Sequence, residues 1–153
     1  MGMKRPTYET DSDITREKRV ADTFATFSGL SLCKLPKFYP MDFAGVAPDK
    51  KIKLWAEVKT RTYSKESLDR MGGYMFALKR AMEYERLVEF TGIPFFLVLG
   101  LPDGVFYKKM FHEAHRRPLD IKFGGRTDRG DSDDMEPMLL FPLSDFSKIE
   151  QEI

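Results

Sequence analysis

At 153 residues the chain is long enough for one domain around one core, and a single cysteine, Cys33, rules out an internal disulfide and points to a reducing compartment. No apolar run approaches the ~18 residues of a membrane span and no signal peptide is read, so a cytoplasmic protein with no membrane partner is expected. The net charge of +1 hides an asymmetry: residues 1–130 hold 24 Lys/Arg against 17 Asp/Glu, a net of +7, whereas residues 131–153 hold one lysine against seven acids. A basic body of this kind suits a polyanionic partner.

In chain order, Asp11 to Phe27 reads as a helix, with Asp11, Ser12 or Asp13 as cap. Its apolar stripe runs through Ile14, Ala21, Phe24 and Ser28, and Glu17 sits on that stripe. An acid there either reaches a buried partner or pairs with Arg16 or Arg19 at the edge. Leu30 to Leu35 reads as a short strand. Met41 to Val46 and Ile52 to Lys59 form a hairpin through Ala47-Pro48-Asp49-Lys50. Tyr63 to Gly73 is a polar connection, and Tyr74 to Phe90 a helix ended by Thr91-Gly92. Ile93 to Leu101 is apolar enough for a buried central strand, reached by a right-handed crossover. Val105 to Phe111 follows as its antiparallel neighbour, and Glu136 to Pro142 as an edge strand bracketed by prolines. The expected architecture is α/β, with a mixed sheet flanked by helices. It forms one domain, with a core over about residues 12–111 and an extension over 112–153.

Side chains alternate along a strand, so Ile52, Leu54, Ala56 and Val58 form an apolar face while Lys53, Trp55, Glu57 and Lys59 share the other. A two-residue loop sets Asp42 opposite Glu57 and a four-residue loop sets it diagonally across; a three-residue loop would not bring the acids together. Two carboxylates so close repel, and one takes up a proton unless a cation neutralises them. Mg²⁺ suits such a site, preferring oxygen ligands and keeping waters that a phosphate can displace, and Mn²⁺ is the expected substitute. Beside them Lys59 would orient or deprotonate a water, or stabilise a pentacovalent transition state.

Pro40-Met41-Asp42, the Glu57-Val58-Lys59 triplet and a helix-strand-strand-strand-helix-strand order resemble the PD-(D/E)xK nuclease superfamily, with one residue inserted in the proline-acid pair. The resemblance implies a restriction-endonuclease-like αβββαβ core. It implies Asp42, Glu57 and the Val58 carbonyl as metal ligands and Lys59 as the catalytic lysine. Many superfamily members carry a helical glutamate that reaches the metal, and Glu17 is similar to it.

Further contacts to nucleic acid are expected from Arg61, just past the lysine, and from Lys79 or Arg80. Arg80 and Tyr84 lie four apart on one helix face, where the recombination nucleases of this superfamily carry a glutamine and a tyrosine; arginine here departs from that pattern. Trp55 is expected to pack under the first helix. The loop Gly124 to Gly130 offers Arg126 and Arg129 to a phosphate backbone, and with the proline-rich strand after it is similar to the tails of small phage and prophage nucleases. His112 and His115 are one residue short of zinc-protease spacing, the acids of Asp128 to Asp134 lack the glutamate of a calcium loop, and Asp49 is a turn residue. The expected function is Mg²⁺-dependent hydrolysis of DNA by a phage-type resolvase, recombination or repair endonuclease, dimeric if both strands are cut. RNA is admitted as substrate, and a catalytically silent nucleic-acid-binding or assembly module is the alternative.

Overall fold

Gly29 takes φ +72°, a left-handed conformation open to glycine without strain, and there the first helix, α1 (Asp11–Ser28), stops. The computed structural model describes residues 11–111, 120–125 and 135–150. Helix α1 buries Ala21 and Phe24 of the expected stripe together with Val20, whereas Ile14, at the start of that stripe, stays exposed. Asp11, Ser12 and Asp13, the expected cap candidates, all fall inside its first turn.

The main sheet contains β1 (Ser31–Lys34), β2 (Phe43–Val46), β3 (Ile52–Thr60), β5 (Phe95–Leu101), β6 (Gly104–Met110) and β9 (Ser147–Lys148), hydrogen-bonded in that order. Only β3 and β5 are parallel, so the sheet is mixed. One face packs on α1 through Phe43, Leu54, Ala56, Val58 and Val98. A β-carbon on Gly100 would run into Val20, so the bare glycine lets α1 lie close against β5. The other face carries Trp55, Phe95, Leu97 and Leu99 and packs on α3 (Leu78–Thr91) through Ala81 and Tyr84. Trp55 therefore lies under α3, where its Nε1 donates to Thr91 Oγ1 at 3.3 Å, and not under α1 as the sequence suggested.

Three expectations change in the second half of the chain. The segment read as one helix from Tyr74 divides into β4 (Tyr74–Ala77) and α3, because Tyr74 and Phe76 are buried at strand period and pair with Phe141 and Leu139. The polar connection before it contains α2 (Lys65–Arg70), capped by Ser64, whose hydroxyl accepts from Ser67 N. The strand expected at an edge, β8 (Met135–Phe141), is the middle of a second sheet, between β4 and β7 (Asp120–Gly125). Pro137 fits there because it lies past the last β4 rung, Ala77 with Met138, so β8 has a neighbour on one side only at that point.

The β2–β3 turn decides the phase of the acids. Lys50 N donates to Ala47 O at 2.9 Å and Ala47 N to Lys51 O at 3.0 Å, leaving a three-residue loop with Lys50 at φ +70°. That loop alone would turn Asp42 away from Glu57. A bulge corrects it: Val46 pairs with Ile52 but Gly45 with Leu54, so Lys53 is an extra residue on β3. Beyond it Phe43 pairs with Ala56, which brings Asp42, the next residue back, level with Glu57. The bulge also sends Ile52 to the Trp55 side, so the apolar face toward α1 is Leu54, Ala56 and Val58 without it.

Candidate active site

Glu57 sits in the middle of β3, between β2 and β5, and is 0% exposed. Its Oε1 lies 2.7 Å from Arg80 Nη1 and 3.0 Å from Lys59 Nζ, and the Tyr84 hydroxyl helps to hold the carboxylate charged; its Oε2 is buried and meets no well-aligned hydrogen-bond donor among the described residues. Asp42 stands at the head of β2, where its Oδ2 accepts from Val58 N at 3.2 Å. Strand parity thus brings Asp42, Glu57 and Lys59 together.

Two residues hold this group in place. Tyr84, fully buried and stacked on Phe95, donates its hydroxyl to Pro40 O at 2.7 Å and so fixes the chain two residues before Asp42. Leu35 N donates to Asp42 O at 2.8 Å, closing the loop between β1 and β2.

The charges are balanced two against two. Burial, then the negative Glu57 beside it, pushes the Asp42 carboxyl up to about 6, against the pull of Lys59. Burial alone would push Glu57 up too, but the Lys59 ammonium and the Arg80 guanidinium hold its carboxyl below the usual range. Burial disfavours the charge on Lys59, and Glu57 and Asp42 more than offset it, so the ammonium persists to higher pH than in a free lysine. Burial and the nearby Glu57 charge keep the Tyr84 phenol protonated well above its ordinary range.

The other residues singled out by sequence are spread around this centre. Glu17 pairs with Lys34 at 2.5 Å, and not with Arg16 or Arg19; its charge still contributes to raising Asp42. Among the described residues no group of three or more His, Cys, Asp or Glu side chains is placed to hold a metal, so Glu17 does not complete a three-carboxylate set. Arg61 reaches back over Tyr74, its Nη2 donating to the hydroxyl at 3.2 Å. Lys79 is exposed at the start of α3. Arg80 is held on Glu57, and Tyr84 faces inward without an exposed surface. Gly124 and Gly125 end β7, and Arg126 and Arg129 lie outside the described residues, as do His112, His115 and the acids from Asp128 to Asp134. Asp49 is exposed in the turn, accepting from Lys51 N.

Sequence reasoning missed the anchoring role of Tyr84 and the pairing of Arg80 with Glu57. Their four-residue spacing signalled a shared face, but the partner on that face lay on a strand more than twenty residues away.

A family model described as "Phage putative PDDEXK endonuclease" matches residues 3–149. No curated protein shows significant similarity to the chain. Among the described residues no helix is long and apolar enough to cross a membrane.

Proposed function

We propose that this chain, which belongs to the phage PDDEXK endonuclease family, hydrolyses phosphodiester bonds of DNA with Mg²⁺ or Mn²⁺ as cofactor. The observation that carries this reading is the pairing of Asp42 with Glu57 beside the Lys59 ammonium, with Glu57 Oε2 buried and without a hydrogen-bond donor among the described residues. A buried carboxylate oxygen without a donor is costly, and a divalent cation relieves it. The donor set fits: two carboxylates and the Val58 carbonyl would hold the ion, leaving positions for water and substrate phosphate. When bound, the metal supplies an acidified water and positive charge for the scissile phosphate.

The side chains supply the rest. Lys59, 30% exposed beside a buried acid, is held protonated by Glu57 and Asp42. Beside the metal it would orient or deprotonate water, or stabilise charge on the phosphorane oxygens. Arg80 and Arg61 add positive charge within the same region, suited to the phosphates flanking the cut. A host-cytoplasmic resolvase, recombination or repair enzyme, dimeric for double-strand cuts, accords with this chemistry.

Cleavage of plasmid, single-stranded and branched DNA with Mg²⁺ or Mn²⁺ tests it. Wild type should cut, while Glu57→Ala and Lys59→Ala should lose activity by about a hundredfold or more. Mutants as active as wild type would remove these residues from the active site.

A further inference from the structure

The β1–β2 loop, residues 35–42, leads directly into Asp42 and carries two aromatic rings that the core does not use. Phe38 is 82% exposed and Tyr39 47%, their centroids 4.9 Å apart. Large apolar side chains in this state usually serve a partner when they are held in place and not merely scattered. These are held. Leu35 N bonds to Asp42 O at one end of the loop, Tyr39 N to Pro36 O within it, and the buried Tyr84 to Pro40 O. Met41 is buried as an anchor, and prolines bracket the pair at positions 36 and 40. The rings are thus fixed three and four residues from the active-site acid.

Topology narrows the partner. Strand β2 runs antiparallel to β3, so this loop lies toward the C-terminal end of β3, the direction in which Lys59 and then Arg61 follow Glu57. A strand of nucleic acid with its phosphate at Asp42 and Glu57 would pass this loop, where exposed Lys37 offers a cation next to the rings. Phe90 is also exposed, but it lies ten residues along α3 from Arg80, about 15 Å away by helical rise. Aromatic rings on a rigid support beside a cation suit the faces of unpaired bases. A continuous duplex keeps those faces stacked and hidden.

We infer that Phe38 and Tyr39 form a stacking platform for unpaired bases next to the scissile phosphate, directing the enzyme to single-stranded tails or splayed junctions of DNA in preference to continuous duplex. This rests on the proposed nuclease reading, which supplies the DNA.

Binding of full-length protein to a labelled oligothymidine, a blunt duplex and a duplex with a single-stranded tail, measured by fluorescence anisotropy in EDTA, tests it without cleavage. Wild type should prefer the tail-bearing and single-stranded probes. Phe38→Ala and Tyr39→Ala should each weaken those by about tenfold while changing duplex binding less than about twofold, and Phe38→Trp should restore them. Equal binding of all three probes by wild type and mutants, or an equal loss on every probe, would overturn the platform. Self-association in sedimentation that Phe38→Ala abolishes would also overturn it, in favour of a contact between copies. The cleavage assay is independent of this one: inactive Glu57→Ala with unchanged Phe38→Ala binding sinks only the platform. Fully active Glu57→Ala with tail binding lost in Phe38→Ala sinks only the site.

Discussion

Arg80, half exposed on α3, places a guanidinium nitrogen 2.7 Å from the fully buried Glu57 Oε1 on β3. Two cations share that oxygen, so removing one leaves the buried charge with Lys59 alone. Arg80→Gln is expected to destabilise the protein in EDTA by about 1.5–3 kcal/mol, the range for a lost hydrogen bond to a charged group. Mg²⁺ held as proposed would replace the missing charge, so thermal melts should show the deficit shrinking as metal is added. A deficit unchanged by saturating metal would mean that Arg80 supports the fold and not the acid.

Asp42 supplies a pH dependence of definite sign. Its carboxyl titrates at about 6 in the fold against 3.8 for the free side chain, so the metal-free folded state holds this proton more tightly than the unfolded chain. The stabilising contribution is complete below the unfolded value and is lost as pH rises through about 6, so an ionised Asp42 costs about 1–3 kcal/mol at neutral pH. Asp42→Asn removes that cost. In EDTA near pH 8 it should melt above wild type, the gap should close by about pH 4, and metal should no longer raise its melting temperature. A mutant melting below wild type at the higher pH would contradict the assignment.

Tyr84 acts through Pro40. Tyr84→Phe keeps the ring that stacks on Phe95 and deletes the hydroxyl, which donates to the Pro40 carbonyl and also lies against Glu57. The expected cost is about 1 kcal/mol of stability. Because the loop then positions Asp42 less firmly, kcat should fall more than KM rises. Unchanged kcat with the same loss of stability would reduce Tyr84 to a packing residue.

Much of this centre was legible in the sequence because strand parity is local. Glu57 and Lys59 share a face whatever the rest of the chain does, and the apolar run of β5 announces a central strand. What was not legible depended on distant partners. Tyr74 to Ala77 looks helical until β8 arrives some sixty residues later to pair with it. Glu17 could be placed on a stripe, but its partner Lys34 lies on another element. The turn gave the right phase for a reason that the residues did not reveal: the loop has three residues, and a bulge undoes its effect.

That bulge yields the last prediction. Lys53 is the extra residue, exposed and opposite no partner, while its neighbours Ile52 and Leu54 already point to opposite faces. Removing Lys53 in frame converts Val46 with Ile52 and Gly45 with Leu54 into consecutive rungs, so Asp42 stays level with Glu57 and both apolar side chains keep their places. The deletion should therefore fold, melt within about 1–2 kcal/mol of wild type and bind Mg²⁺ with an affinity within a few fold by calorimetry. Removing Leu54 instead allows the same register but seats Lys53 at a buried position facing α1, where burying an unpaired ammonium should prevent folding. If the Lys53 deletion folds but no longer binds metal, the strand twist imparted by the bulge, and not the phase it restores, is what brings the two carboxylates together.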